Sequence, residues 1–487
     1  MICPTLLHAQ GVRITGVTTV QFVELRQLVL DSLAATDVPG TGEWRTNADG
    51  MPTLCATGSA FCTFERSGNR VNAAPLLQDL TFAAWGWREG LSFHANVRLR
   101  EQLGPRDGLL YPRADDHFDA LDAYAELDRS AWRGRLGRQW ITSGLGTYAF
   151  DGANALWRHD AFTVEGWGGR ALLAGLNEPY TSAQLAAVDN LPPPEEGYLF
   201  GGRARWRPDA LSAAALTYQR VLLSDRSGLY AERASLDAST RRFAAVVDVG
   251  LNYDFATGDW NEARLRVGTG MGHALSYSVE ARHSRPYFEL WTIWGAFSPV
   301  GFDEGRATVD WGPRGVPLAL SLRGAYRKYA ETDAGFDLRT NGWRAGGDVR
   351  WLGTPALSAF GSYDVDIGSG AASTDVRAGG RWNRSADLSF GADVAVTQNI
   401  YEFRVGTGRI YGAALDGAMR IAPDLRVVAD AAVYQHVLTN GAAGPDWTQR
   451  RAALRFEWTV GRDPGMPTVG MPAVGMPAGG MPVGRAP

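Results

Sequence analysis

The segment Trp447 to Val460, W-T-Q-R-R-A-A-L-R-F-E-W-T-V, sorts its side chains onto two faces. Ala452, Leu454, Phe456, Trp458 and Val460 fall on one, while Gln449, Arg451, Arg455, Glu457 and Thr459 fall on the other. Strict period two, ending in aromatics beside a turn, describes a strand with one apolar and one wet face. The same alternation recurs down most of the chain. It predicts an all-β protein, a transmembrane antiparallel up-and-down β-barrel. A helical membrane protein would need runs of about 20 apolar residues, and none occurs here; mean hydropathy is -0.19. Barrels escape that test because lumenal residues dilute every apolar face.

Several strands can be read face by face. Tyr198, Phe200, Ala204 and Trp206 oppose Arg203, Arg205 and Arg207, and Leu318, Leu320, Leu322 and Tyr326 oppose Ser321, Arg323 and Arg327. Trp343, Ala345, Val349 and Trp351 likewise oppose Arg344, Asp348 and Arg350, and Val376, Ala378 and Trp382 oppose Asp375, Arg377 and Arg381. Leu425, Val427, Ala429, Ala431 and Val433 oppose Arg426, Asp430 and Tyr434. An arginine on the lipid face costs roughly 2 to 4 kcal/mol at the midplane, so the charges are expected inside. A one-residue slip would invert every face. The 59 glycines, 17 tryptophans and 11% aromatics suit strands, tight turns and interfacial girdles; a soluble all-β protein would share the alternation with less tryptophan at its strand ends.

Short turn signals punctuate the runs at Arg207-Pro208-Asp209, Gly312-Pro313-Arg314-Gly315, Gly353-Thr354-Pro355, Asn383-Arg384-Ser385 and Ala422-Pro423-Asp424. Segments between them often hold two strands and a longer polar connection. Short turns on one side and long loops on the other is the asymmetry of a bacterial outer-membrane barrel, with membrane lipid, lipopolysaccharide included, as its surroundings. Counting runs from residue 11 gives about 18 to 22 strands, an even number being favoured. Within 224–312, residues 227–237 read as strand or loop, and 288–297 as an interfacial or inward-folded loop. Residues 28–75 read as a long connection that caps the pore or enters it.

Residues 1–10 resemble the tail of a signal peptide lacking its basic region, and Cys3 would leave with them. Cys55 and Cys62 flank T-G-S-A; with Gly58-Ser59 as a two-residue turn they lie opposite each other, close enough for a disulfide. That pair fits an oxidising compartment and does not complete a zinc site. The barrel is expected to occupy 11–461. Beyond it, 462–487 carries a Gly-Met-Pro repeat that cannot pair as central strands, and reads as a flexible periplasmic tail, either a mere extension or a contact to cell wall or a partner.

Net charge of -4 gives no support for a nucleic-acid partner. Lys328 is the only lysine among 48 basic residues, and arginine suits carboxylate and phosphate recognition. Arginine rows Arg98/Arg100, Arg133/Arg135, Arg203/Arg205/Arg207 and Arg264/Arg266 concentrate in the first part of the barrel, faced only in part by Asp122, Glu126 and Asp128. These rows predict an anion-preferring passage for small solutes. The other reading is that they pair with acids on adjacent strands and only hold the wall.

Residues 131–170 hold A-W-R-G-R-L-G-R-Q-W-I-T-S-G, then F-D-G-A-N-A-L-W-R and F-T-V-E-G-W-G-G-R. This resembles the R-x-G-R-Q…F-D-G pattern of alginate-export-like and related outer-membrane porins, matched by Arg135, Gly137, Arg138, Gln139, Phe150, Asp151 and Gly152. The resemblance implies a barrel conducting small or polymeric solutes. Arg138 and Asp151 then either line a constriction or pair within the wall, with Gly137 and Gly152 permitting close strand packing.

Catalysis is not expected. Barrel hydrolases need a nucleophile near an oriented histidine. The seven histidines, His8, His94, His117, His159, His273, His283 and His436, lie in no G-x-S-x-G, H-E-x-x-H or P-loop context, and no cofactor is implied. A TonB-dependent receptor is disfavoured because about 65 residues before the second strand are too few for a plug. The remaining alternative is a non-conducting structural or adhesion barrel whose loops and tail bind partners.

Overall fold

The computed structural model describes residues 11–48, 51–104, 117–172, 197–223, 229–242, 244–269, 274–285, 301–330, 340–368, 372–402, 406–438 and 446–461. The expected leader remnant (1–10), the Gly-Met-Pro tail (462–487) and the 288–297 loop lie outside them. Apart from one 3-10 turn, Ala35–Asp37, the described regular structure is strand. β1 (Gly11–Ala34) is followed by β2 (Trp44–Thr46), β3 (Pro52–Leu54), β4 (Phe61–Ala73) and β5 (Pro75–Trp85). Next come β6 (Leu91–Gln102), β7 (Phe118–Asp128), β8 (Trp132–Ser143), β9 (Gly146–His159), β10 (Phe162–Ala171), β11 (Gly197–Asp209), β12 (Ser212–Leu223) and β13 (Leu229–Arg242). Then follow β14 (Ala245–Asp254), β15 (Asp259–Thr269), β16 (Leu275–Ser284), β17 (Phe302–Trp311), β18 (Leu318–Tyr329) and β19 (Asn341–Thr354). The last are β20 (Leu357–Ile367), β21 (Ala372–Asn383), β22 (Leu388–Glu402), β23 (Gly406–Ala422), β24 (Leu425–Leu438) and β25 (Trp447–Val460).

Each wall strand pairs antiparallel with its neighbours, and β1 closes the ring against β25 from Ile14↔Val460 to Val23↔Arg451. The wall is therefore β1 plus β5 to β25, a closed 22-stranded barrel, at the upper end of the expected range. Of the 227–237 stretch, the described residues from Leu229 on are strand, part of β13. Closure matters because hydrocarbon offers backbone amides no partner, so only a sheet without edges can cross it. Short turns such as 160–161, 210–211, 355–356 and 423–424 gather at the end that also holds both chain ends of the barrel. That is the periplasmic rim of a barrel that spans the outer membrane.

The alternation read from sequence sorts the faces as expected. Leu136 (68% exposed), Leu216, Leu322 (64%) and Leu415 stand on one face with Trp206, Trp351 and Trp382. The ion-paired side chains stand on the other. On that second face, Arg203 of β11 donates to the carbonyl of Thr142 on β8, three strands away. Such a reach is possible only across a concave surface, which identifies the charged face as the lumen. We expect Leu322→Arg to cost about 2 to 4 kcal/mol, whereas Ser321→Arg, pointing inward beside Asp310 and Asp348, costs little. The folded, heat-modifiable fraction on unboiled gels reads the difference.

Residues 28–75 form a hairpin that prolongs the wall. β1 pairs with β5 at Val20↔Leu76 and with β4 at Val23↔Ala73 in one continuous register. β1 thus outruns β25 and rises beyond the rim with β4, topped by β2 and β3. Thr53↔Phe64 and Leu54↔Thr63 lead directly to Cys55 and Cys62, which form a disulfide with Cα atoms 4.2 Å apart. Val38, Cys55 and Cys62 pack as a small core with Leu33 and Ala35. Replacing both cysteines by serine is expected to cost about 2.5 kcal/mol of local stability. Limited proteolysis should then cut within 35–60 while the barrel keeps its heat-modifiable band.

Candidate functional site: the lumenal wall

Register places nine of the predicted pore residues on the lumenal face: Arg98, Arg100, Arg133, Arg135, Arg203, Arg205, Arg207, Arg264 and Arg266. The first rows are anchored by acids on neighbouring strands. Arg98 binds Asp79 through two nitrogens, at 2.6 and 3.2 Å, and Arg100 meets the buried Asp119 at 2.9 Å. Arg135 pairs with Glu126 at 2.5 Å. Glu165, only 3% exposed, is a hub: it pairs with Arg203, lies 3.6 Å from Arg133 and accepts from Asn154 at 3.0 Å. For these arginines the wall-holding reading prevails.

Arg205, Arg207 and Arg266 differ. Among the described residues none has a carboxylate within 4.0 Å. All three project into one lumenal recess of about 420 Å³, which Asp237, Asp248, Arg264 and Glu280 also line. Arg264 is loosely held, 4.0 Å from Glu262, which Arg282 approaches more closely at 3.4 Å. Two rows that lie about 60 residues apart in sequence therefore converge on one hollow.

Above this recess the β8–β9 hairpin leaves the wall and folds inward. β7 pairs with β8 only as far as Arg138. Beyond that point the tip lies against the inner face of β13: a methyl group added at Gly144 would collide with the Asp237 carboxylate and the Ser235 hydroxyl of β13, and Arg233 lies over the Tyr148 ring at 5.5 Å. The underside of the hairpin supplies Ile141 and Phe150, which bury against Trp167, Leu199, Val221 and Ala231 on β10 to β13. Apolar side chains on an inward face break the alternation rule because here protein, not water, covers them.

For Arg138 and Asp151, of the two readings the motif left open, the structure shows the pairing. They sit on the opposite parity from Arg135 and Gln139, on the back of the hairpin root, paired at 2.8 and 2.9 Å. The cause lies in β7, whose register shifts around Leu121 and frees two carbonyls. Arg138 donates to Ala120 at 3.0 Å, and the Trp140 indole donates to Leu121 at 2.9 Å. Gly137 takes φ +129°, and side chains at Gly152 or Gly169 would strike each other's strand. The R-x-G-R-Q…F-D-G motif is thus the hinge from which the hairpin bends, with Gln139 buried between Gly137 and Gly152 and bonded to the Gly152 carbonyl at 3.0 Å.

A second ladder lies in the later strands, whose inward charges the sequence showed without marking them as pore residues. Glu304, its side chain 1% exposed, pairs with Arg306 at 2.8 Å and Arg327 at 2.5 Å. Arg323 bridges Asp348 and Asp364, and Arg377 and Arg381 hold Asp393 and Asp416. The signal was present as charges at alternate positions; only register shows that each arginine meets an acid.

No protein-family model matches the chain, and no curated protein matches it by sequence. Solved structures similar in outline include OccAB4 of Acinetobacter baumannii, at 7% identity and TM-score 0.40, with 94% of this chain and 100% of that chain covered. OpdQ of Pseudomonas aeruginosa is 12% identical with TM-score 0.37 over 92% of this chain and 98% of its own. A BenF-like porin from Pseudomonas fluorescens Pf-5 is 8% identical with TM-score 0.39, over 92% and 99%. None of the three bears the alginate-export-like name suggested by residues 131–170, and the likeness is one of outline.

Proposed function

We propose that the barrel is an outer-membrane channel through which small anionic solutes diffuse. The carrying observation is the recess holding Arg205, Arg207 and Arg266, three guanidinium groups with no carboxylate within 4.0 Å among the described residues, which with Arg264 outnumber the Asp237, Asp248 and Glu280 carboxylates beside them. Unpaired cations facing water inside a low-dielectric ring attract anions and raise their local concentration. The inward β8–β9 hairpin narrows the lumen directly above this recess, so a solute passing its tip meets the arginines next. Transport on this reading is passage along a charged wall and requires no bond to be made or broken.

Planar-bilayer recording tests it. Purified protein is expected to give reproducible open-channel current, with a reversal potential in a KCl gradient that reports chloride preference. A sealed lumen overturns the proposal and favours the non-conducting scaffold, for which the disulfide-braced hairpin beyond the rim is the natural partner surface.

A further inference from the structure

Opposite the lumen, the lipid-facing surface over β14 to β18 carries a groove of about 760 Å³. Its floor follows from register. Val249, Leu265, Ala281, Gly305 and Tyr326 stand opposite one another in a single cross-strand row on the outer face. Gly305 and Ala281 are low, while Leu265 and Tyr326 on either side are tall and exposed, so the row dips in its middle. The next row toward the extracellular rim runs Leu251, Ala263, His283, Asp303, Lys328. An apolar trough is therefore closed at its upper end by three polar side chains.

Those three sit where β16, β17 and β18 reach the loop side, the level of the outer-leaflet headgroups. Asp303 is engaged by His283 Nδ1 at 2.8 Å. Lys328 stands across from Asp303 in register, is exposed and, among the described residues, has no ion pair. The only lysine of the chain thus places an exposed ammonium on the rim of a lipid-facing groove, in a protein that otherwise uses arginine. A compact, strongly hydrated cation above an apolar trough matches a phosphate above an acyl chain, and the volume falls within the roughly 300 to 1,000 Å³ of small-molecule sites.

We propose that this groove seats a phosphorylated acyl lipid of the outer leaflet, with one acyl chain lying along Leu265, Ala281, Gly305 and Tyr326 and its phosphate on Lys328. The inference needs only the membrane-facing side of the barrel and stands whether or not the lumen conducts. Full-length protein in detergent is incubated with bisphosphorylated lipid A or with its dephosphorylated form, exchanged into fresh detergent, and the retained lipid is counted by native mass spectrometry. Lys328→Gln is expected to retain about fivefold less of the phosphorylated lipid with no change for the dephosphorylated one. Gly305→Leu fills the trough and is expected to reduce retention of both. No atom lies within 4 Å of a Cβ at Gly305, so this variant keeps its fold, checked by the heat-modifiable band. Equal retention of the two lipids by wild type, undiminished retention by Gly305→Leu, or displacement of the lipid by millimolar inorganic phosphate alone would each overturn the proposal.

Discussion

Changing Arg205, Arg207 and Arg266 together to glutamate is expected to reverse the ion preference of the channel, from chloride to potassium. The three side chains share one recess with Asp237, Asp248 and Glu280. Local charge there is close to balanced once Arg264 is included, so exchanging three cations for three anions leaves the recess strongly negative. The shift should be largest in dilute salt. The screening length is about 10 Å at 0.1 M and about 3 Å at 1 M, so the variant and wild type should converge in concentrated KCl. Arg98 and Arg135, held by Asp79 and Glu126, provide the contrast: Arg98→Gln and Arg135→Gln should lower stability more than they alter selectivity. Reversal potentials measured at both salt concentrations decide the matter, and an unchanged preference in the triple variant would remove the recess from the conduction path.

Removing Glu304 is expected to be among the most damaging single changes to the wall. Its carboxylate pairs with both Arg306 and Arg327 while its own side chain is almost fully covered. Glu304→Ala leaves two guanidinium groups side by side without their shared acid. Breaking a buried pair costs roughly 3 to 5 kcal/mol. Arg306 keeps 37% of its side chain exposed, so lumenal water recovers part of that loss and about 3 kcal/mol is expected. Glu304→Gln should cost less, because the amide oxygen still accepts from one arginine. Urea titration of the folded band on unboiled gels should rank wild type above Glu304→Gln above Glu304→Ala; equal midpoints would mean that this cluster does not hold the wall.

Period two was enough to read the barrel, its two faces and its periplasmic turns, because each strand records locally which of its sides meets hydrocarbon. Tyr198, Phe200 and Trp206 against Arg203, Arg205 and Arg207 is such a record, and the register agrees with it. The Cys55–Cys62 pairing was legible for the same reason, a short hairpin fixing both partners within eight residues. Two features were not. β1 read as ending near residue 27, since its continuation stands beyond the wall and loses the alternation that marks a wall strand. The motif at 131–170 left open whether its charges line the pore or pair, since nothing within β8 reveals that β7 shifts register at Leu121 and leaves carbonyls for Arg138 and Trp140 to satisfy.

The sequence by itself determined that the chain must close into a ring with apolar side chains outward, because a lipid-facing charge or an unpaired strand edge carries a penalty that every strand pays locally. Only the tertiary structure decided which lumenal arginines are neutralised, where the β8–β9 hairpin turns inward, and where an outer groove forms beneath Lys328. Each of these depends on cross-strand register and on contacts between strands distant in sequence, and no single strand encodes its neighbour's offset.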